Sequence, residues 1–281
     1  MEKIRSAIAK ARVERDAITA AQPMPQANVQ RDGMPDNHAV SDTVSANWAA
    51  LRKATFDADL MRRNRIVAYQ REPESTSIDM MRTRIMQQMR DNNWHRLAIT
   101  SPTAKCGKST IALNLAVSLS RQADLRTLLL ELDLRRPSLM RMLGSGPVAA
   151  NFADVLRGKA SFADSALCYN GNLAIGANNG RSRDAAELLA GEGVGDVLTH
   201  IEADYQPQIV IFDMPPMLAA DDMMAFATQV DCVLIIAAAE RTTTKEIDLC
   251  EQELARQTNV MGVVLNECRY MGPQDNYGYY G

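Results

Sequence analysis

Several features that define whole classes of protein are missing from this sequence. Its five cysteines are an odd number and no two form a C-x-x-C pair, which excludes a structural zinc site or a disulfide framework. The longest uninterrupted apolar run, residues 232–239, has eight residues and is too short to span a bilayer. The first residues, M-E-K-I-R-S-A-I, are charged and helical in pattern, so we expect no signal peptide and a cytoplasmic location.

An excess of charge of one sign is also lacking. The chain carries 31 basic and 34 acidic residues, a formal net charge of −3. Such a balance creates no overall field for nucleic acid, so we expect no nucleic-acid partner. What is present is enough apolar material, 46% of 281 residues, for one α/β domain of about 200 residues and an extension.

The chain divides by composition into five segments. Residues 1–16 predict a basic amphipathic helix, which either docks on a partner or an anionic membrane, or is simply solvated. Residues 17–47, rich in Ala, Gln, Pro, Asn and Asp, predict a flexible linker. Residues 48–76 are a helical or irregular lead-in that a single helix would satisfy. The main domain covers 77–269, and a tail follows over 270–281.

The most informative segment is S-P-T-A-K-C-G-K-S-T at residues 101–110. It follows a buried-strand pattern at 97–100 and precedes apolar residues at helical spacing. A strand, a tight loop and a helix start make a phosphate cradle, because free backbone N–H groups and the positive helix end face an anion. Lys108 adds a point charge, and the Ser109 hydroxyl can ligate Mg²⁺. The segment therefore predicts a nucleotide-binding loop.

Two later strand ends carry acids. L-L-L-E-L-D-L-R-R-P at 128–137 places Glu131 and Asp133 two residues apart, which predicts that both point to the same face. I-V-I-F-D-M-P-P at 209–216 delivers Asp213 at the carboxyl end of an apolar strand, where open α/β sheets bind ligands. An acid there can orient the water shell of Mg²⁺ on a bound nucleoside triphosphate.

The apolar pattern also predicts the fold class. Strands are expected near 97–100, 127–132, 173–175, 208–213, 232–239 and 260–266, with helical stretches between them and a helix at 78–91 before the first. T-T-K-E at 243–246 is a capping-box pattern that opens a further helix. Strand alternating with helix predicts an α/β domain with a mostly parallel sheet and helices on both faces, as in P-loop NTPases.

In this order, the loop, the D-L-R-R-P segment and the D-M-P-P segment resemble the Walker A, A′ and B motifs of bacterial tyrosine kinases. These are autokinases of capsular and exopolysaccharide biosynthesis, related to the Min and Par ATPases. The resemblance runs from about residue 78 to the end and includes N-F-A-D-V-L-R-G at 151–158 and D-A-A-E-L-L at 184–189. The D-x-P-P ending is its most specific part.

The resemblance implies transfer of phosphate from Mg²⁺-bound ATP to tyrosine. Ser109, Asp133 and Asp213 would organise the metal. Asp133, with Glu131 as its partner, would orient or deprotonate the tyrosine. The implied catalytic residues are Lys108, Glu131, Asp133 and Asp213. The implied nucleotide-binding residues are Thr103, Ala104, Lys105, Cys106, Gly107, Lys108, Ser109, Thr110, Arg135 and Asn266.

The end of the chain adds a separate signal. Four of the seven tyrosines lie in the last twelve residues: Tyr270, Tyr277, Tyr279 and Tyr280. The segment has no apolar periodicity and contains Gly and Pro, which predicts a flexible tail. In the resembling family such a cluster is the autophosphorylation substrate. Ten extended residues reach at most about 33 Å, enough to enter a neighbouring subunit's active site. The alternative is a low-complexity end without a catalytic use.

The resemblance also implies partners. These are a transmembrane polysaccharide chain-length regulator (co-polymerase) as activator, further copies of the same chain, and a tyrosine phosphatase. The regulator would hold the kinase at the inner face of the plasma membrane.

The chain departs from the family pattern at three places. Glu131 stands where the family usually has Asp. Lys105 stands where the loop commonly has Gly, and a non-Gly residue costs about 1 kcal/mol if that position needs a positive φ. In the E-x-x-R-x-x-R helix associated with ring assembly, Asp79 and Arg82 match loosely and Ile85 replaces the second Arg.

Two other functional classes stay open. One is a regulatory ATPase of polysaccharide assembly that transfers no phosphate to protein. The other is an ATP-dependent ligase or synthetase on the same fold, against which the tyrosine tail argues.

Overall fold

The computed structural model describes residues 37–70 and 73–268. The chain divides into two units, residues 1–40 and 41–281, and only residues 37–40 of the first unit are described, as the start of a helix. The predicted basic helix at 1–16 and the tyrosine tail at 270–281 lie outside the described residues, as does the predicted linker up to residue 36.

The described residues form eight strands and eleven α-helices, with 3₁₀ turns at Pro73–Ser75 and Ala227–Gln229. The strands are β1 (Arg52–Lys53), β2 (Arg96–Thr100), β3 (Thr127–Glu131), β4 (Ala166–Tyr169), β5 (Leu173–Gly176), β6 (Ile209–Asp213), β7 (Cys232–Ala238) and β8 (Asn259–Asn266). The helices are α1 (Asn37–Ala50), α2 (Ala58–Arg63), α3 (Thr76–Asp91), α4 (Lys108–Ser120), α5 (Leu139–Leu143), α6 (Phe152–Leu156), α7 (Phe162–Ser165), α8 (Ala185–Leu189), α9 (Gly193–Tyr205), α10 (Asp222–Phe226) and α11 (Thr244–Leu254).

The strands form one sheet in the order β1-β4-β5-β3-β6-β2-β7-β8. All neighbouring strands are parallel except β4 and β5, which form an antiparallel hairpin. Every residue of β3 and β6 is buried, as expected for central strands covered on both faces. Asp213 of β6 is level with Glu131 on one side and with Ile99 on the other. The strands that carry the three sequence motifs therefore end side by side.

The predicted α/β fold class is confirmed. Each of the six predicted strands is present, and the helix predicted at 78–91 covers Thr76–Asp91. The capping box also forms, because the Thr243 hydroxyl accepts from the N–H of Glu246 while the Glu246 carboxylate accepts from the N–H of Thr243 at 2.7 Å. Strands β1 and β4 were not predicted. With two and four residues they are too short to show a periodic pattern.

Residues 37–47, predicted as part of the linker, lie in α1 instead. Val44 and Trp48 of this helix are one turn apart and both are buried. The Trp48 indole N–H donates to the carbonyl of Tyr205 at 2.7 Å, and the two rings meet edge-on with centroids 5.9 Å apart. Two apolar residues in an otherwise polar segment are too weak a pattern to predict this helix from the sequence.

The lead-in, residues 48–76, is not a single helix. Helix α1 ends at Ala50, β1 adds a short edge strand, and α2 occupies only Ala58–Arg63. Met61, Ile66 and Ala68 have no exposed surface. The lead-in is therefore part of the hydrophobic core of the domain.

One buried side chain of α4 attaches the lead-in to the rest of the domain. The Asn114 amide oxygen accepts from the backbone N–H groups of Val67 and Ala68 at 2.8 and 3.1 Å. Its amide nitrogen donates to the carbonyls of Arg65 and Thr110, both at 2.9 Å. All polar atoms of this buried amide are therefore used.

Replacement of Asn114 by Ala should lower the free energy of unfolding by about 3 kcal/mol, because it leaves several buried backbone groups without partners. Urea unfolding followed by circular dichroism measures this. Asn92→Ala is the matched control, since Asn92 is exposed and its side chain donates to the carbonyl of Gln88 within the same helix end. A similar loss in both variants would contradict the role given to Asn114.

Candidate nucleotide-binding site

The predicted site residues meet at the carboxyl edge of the sheet. Strands β3, β6 and β2 are neighbours, and each ends at this edge. The loop of residues 101–107 leaves β2, Asp213 is the last residue of β6, and Asp133 follows β3 by two residues. The N–H groups of Leu132 and Asp133 both donate to the carbonyl of Asp213 at 2.9 Å, which joins the two acidic strand ends.

Lys108, the first residue of α4, lies at the centre of the site. Its ammonium is 2.7 Å from Asp133 Oδ2, 3.5 Å from Asp213 Oδ1 and 3.3 Å from the Ser109 hydroxyl. The three charged side chains are almost entirely buried, with exposures of 10% for Lys108, 7% for Asp133 and none for Asp213. One cation is thus shared by two carboxylates in a site that is largely shielded from water.

Burial and charge act in opposite directions on these groups. Burial lowers the pKa of Lys108, but the charges of Asp213 and Asp133 outweigh it and leave the pKa raised. Burial raises the pKa of Asp213, and the charge of Lys108 only partly offsets this. The Lys108 ammonium is therefore held in its charged form, and its charge in turn favours the ionised form of Asp213.

The loop has the shape of a phosphate cradle. Lys105 and Gly107 both have positive φ, 66° and 85°. A Cβ on Gly107 would come within 2.2 Å of the Asn266 amide nitrogen, so any other residue would strain the backbone and displace the Asn266 side chain. The first N–H of the helix start to find an acceptor among the described residues is that of Ile111, which donates to the carbonyl of Gly107 at 2.9 Å. The preceding N–H groups can receive an anion.

The other predicted loop residues either make hydrogen bonds within the loop or are exposed to solvent. Cys106 is buried, and its thiol donates to the carbonyl of Thr103 at 3.2 Å. Ala104 is exposed, and Thr110 lies in the first turn of α4. Asn266 donates from its amide to the carbonyl of Cys106 at 2.9 Å, so it supports the loop directly.

The residues present fit a magnesium ion with bound phosphates. Asp213 Oδ2 is buried and has no hydrogen-bond partner among the described residues, which is the situation expected of an oxygen that faces a metal-bound water. Ser109 lies beside it at the helix start. The described residues contain no cluster of three or more His, Cys, Asp or Glu side chains suited to a metal. This is consistent with Mg²⁺, which often takes one or two protein ligands together with phosphates and waters.

Glu131 is placed differently from the prediction. Strand β3 ends at this residue, so the alternation that would put Glu131 and Asp133 on one face does not continue. Its carboxylate is fully buried and accepts from the N–H groups of Ser138, Leu139 and Asn178 at 2.5, 2.8 and 2.9 Å. Burial raises the pKa of Glu131 to about 7 against the lowering effect of these donors. The carboxylate joins the end of β3 to the start of α5 and to the segment that follows β5, instead of acting as a partner to Asp133.

Arg135, predicted to bind nucleotide, contacts an acid of the same chain. Its guanidinium makes a two-point contact with Asp222, at 2.8 Å from Nε and 2.9 Å from Nη2. Asp222 is fully buried at the start of α10. This ion pair joins the A′-like segment to the start of α10, which follows the D-M-P-P segment. Asp222 had no motif of its own, so sequence reasoning could not find it.

The ring-assembly pattern on α3 is used within the chain. The Asp79 carboxylate accepts from the Ser118 hydroxyl at 2.6 Å and pairs with Arg82 and Arg121. Ile85, at the position of the second Arg, is buried. These contacts join α3 to α4.

The fold and the lysine-centred cluster define a P-loop nucleotide-binding domain. A model of the CobQ/CobB/MinD/ParA nucleotide binding domain matches residues 97–274, and the chain belongs to this family. None of the helices in the described parts of the chain is both long and apolar enough to cross a membrane.

Curated relatives and a solved structure agree with the predicted resemblance. The chain is 29% identical over 208 residues to tyrosine-protein kinase Wzc of Salmonella typhi, which is 73% of this chain and 28% of Wzc. It is 27% identical to tyrosine-protein kinase YwqD of Bacillus subtilis, over 78% of this chain and 93% of YwqD. It is 30% identical to the succinoglycan biosynthesis transport protein ExoP of Rhizobium meliloti, over 61% of this chain and 22% of ExoP. The kinase domain of Escherichia coli tyrosine kinase ETK superposes with a TM-score of 0.62 at 25% identity, over 70% of this chain and 76% of that one.

The chain thus spans less than a third of the length of Wzc and ExoP and nearly all of YwqD. The predicted resemblance to bacterial tyrosine kinases is confirmed by these relatives.

Lys105 offers a test of the loop. Its φ of 66° is the conformation in which a non-Gly residue is strained by about 1 kcal/mol, so Lys105→Gly should tighten ATP binding a few-fold. Calorimetric titration measures the change. Gln206→Gly is the control, because Gln206 also has a positive φ but lies at the end of α9. Weaker binding by Lys105→Gly would instead show that the Lys105 ammonium contacts phosphate.

Proposed function

We propose that the protein is an ATP- and Mg²⁺-dependent protein-tyrosine autokinase that phosphorylates its own cluster of Tyr270, Tyr277, Tyr279 and Tyr280. The observation that carries the proposal is the sharing of the buried Lys108 ammonium between Asp133 and Asp213 beside a phosphate cradle. The kinase names of the relatives support the same reaction.

The geometry supports a division of roles. The loop amides from Lys105 to Ser109 and the Lys108 ammonium would hold the β- and γ-phosphates. Ser109 and Asp213 would hold Mg²⁺ and its waters, with Asp133 at the edge of that shell, and the metal would neutralise charge on the transferring phosphate.

Asp133 is the residue placed to receive a proton. When Lys108 turns toward a phosphate, Asp133 loses its 2.7 Å partner and is free to accept the proton of a tyrosine hydroxyl. The tyrosine oxygen attacks the γ-phosphorus, the bond to the β-phosphate oxygen breaks, and ADP leaves. The proton goes to the Asp133 carboxylate.

The proposed setting is the control of exopolysaccharide or capsule polymerisation and export. The name of ExoP, a succinoglycan biosynthesis transport protein, supports this setting. We propose a transmembrane chain-length regulator as activator, which would recruit the protein from the cytoplasm to the membrane. Self-association and a tyrosine phosphatase complete the proposed set of partners.

Incubation with labelled ATP and Mg²⁺, followed by phosphotyrosine blotting and a parallel assay of phosphate release, tests the proposal. We expect label on tyrosine in the wild type and none in Asp213→Asn. Asp248→Asn, an exposed acid on α11, is the matched control and should keep the label. Phosphate release without phosphotyrosine would favour the regulatory ATPase over the kinase.

A further inference from the structure

Two side chains from the end of the domain fix the outer side of the nucleotide loop. Arg241, in the turn after β7, donates from Nη2 to the carbonyl of Lys105 at 2.8 Å. Asn266, the last residue of β8, donates to the next carbonyl, that of Cys106, at 2.9 Å. Two consecutive carbonyls of the loop are therefore held by donors that lie far away in sequence.

Arg241 is itself held in place. Its Nη2 also contacts Glu267 Oε2 at 2.5 Å, and its backbone N–H donates to the carbonyl of Ala238. Glu267 directly follows Asn266, so both supports of the loop come from the junction of β7, β8 and α11. Sequence patterns did not indicate Arg241 or Glu267.

Peptide geometry links these outer contacts to the inner side of the loop. In a trans peptide unit the C=O and the N–H point in opposite directions. A Lys105 carbonyl held by Arg241 turns the N–H of Cys106 away from Arg241, and a Cys106 carbonyl held by Asn266 turns the N–H of Gly107 away from Asn266. No described residue accepts a hydrogen bond from either N–H. Successive free N–H groups near a left-handed residue form an anion-binding concavity.

We propose that Arg241, oriented by Glu267, is a positioning residue that aims the amide of Cys106 at the phosphates of the nucleotide, beside the amide of Gly107 that Asn266 orients. It does so at the position where Lys105 replaces the more permissive glycine, so the guanidinium also holds a strained backbone in place. The inference rests on the proposed nucleotide binding but not on phosphate transfer to tyrosine.

The test compares Arg241→Gln with the wild type in the full chain. We expect the Kd for ATP to rise about five-fold, the effect of losing one ordinary hydrogen bond that orients the loop. Pyrophosphate, which has no base, should weaken by the same factor in competition with a fluorescent nucleotide. The thermal midpoint without ligand should stay unchanged. Arg256→Gln is the matched control, because Arg256 makes an exposed ion pair with Glu253 on α11.

The same substitution in the Lys105→Gly variant distinguishes positioning of the Cys106 amide by Arg241 from a general contribution to stability. In Lys105→Gly the backbone strain is absent, so Arg241→Gln should lose less affinity there than in the wild-type loop. Unchanged ATP affinity in Arg241→Gln would overturn the proposal, and so would a loss for ATP without a loss for pyrophosphate. If the wild type binds neither ATP nor pyrophosphate, the proposed nucleotide site and the proposed role of Arg241 are both overturned. If the wild type binds ATP but labels no tyrosine, only the kinase proposal falls.

Discussion

Replacement of Lys108 by Met should abolish detectable ATP binding, with a rise in Kd of at least about a hundredfold. The variant loses the one buried cation of the site and keeps two buried carboxylates, which would then repel the phosphates. The overall fold should remain, although the free energy of unfolding should fall by about 3–5 kcal/mol near neutral pH because the carboxylates have lost their partner.

The pH dependence of this loss has a definite sign. Without the ammonium, the folded-state pKa of Asp213, already raised by burial, should rise further. A carboxyl whose pKa is higher in the folded state stabilises the fold at low pH and loses that contribution as pH rises. Lys108→Met should therefore be closest to wild-type stability in mild acid.

Two measurements check this prediction. Calorimetric titration with ATP gives the affinity, and urea unfolding at several pH values gives the stability. The double variant Lys108→Met with Asp133→Asn is the matched control, because it removes one of the stranded charges. It should regain part of the stability and none of the ATP affinity. Recovery of binding in the double variant would show that Lys108 serves only to neutralise the acids.

The second large effect is expected at the tyrosine tail. Protein purified from its own cells should carry phosphate on Tyr270, Tyr277, Tyr279 or Tyr280. Each phosphate adds close to two negative charges near neutral pH. Several on one short segment would repel one another and the acids at the site, Asp133 and Asp213. The modified tail should leave a neighbouring active site, and any assembly of copies should become smaller.

Mass spectrometry before and after phosphatase treatment measures the modification, and light scattering on the same samples measures the size. Replacement of all four tyrosines by Phe is the control, because it keeps the aromatic rings and should give one size with or without phosphatase. If no tail tyrosine is modified even with the membrane partner supplied, the regulatory ATPase becomes the better reading.

Much of the fold could be predicted because its central strands are continuous apolar runs and its site lies at their ends. The strand at Ile209–Asp213 is an example, since its buried residues and terminal acid are both visible in the sequence. The cradle around Lys108 was predictable for the same reason, because a helix start after a strand is a local feature.

What could not be predicted depends on contacts between distant segments. The roles of Glu131 and Arg135 follow from partners 7 to 87 positions away in sequence, including Ser138 and Asp222. The helix around Trp48 depends on Tyr205, which is 157 positions away. Local periodicity carries no information about such pairs. The positions of Glu131, Asp133 and Arg135 in the A′-like segment could therefore be predicted, but their contacts could not.

The amide of Asn114 has a mechanical consequence. It lies six residues into the helix that starts at Lys108, about 9 Å along the axis from the nucleotide loop, and holds the backbone at residues 65–68. Any axial shift or rotation of this helix on nucleotide binding must move that backbone with it. A partner that pulled on the segment before residue 65 would in turn transmit force through Asn114 and helix α4 to the phosphate cradle.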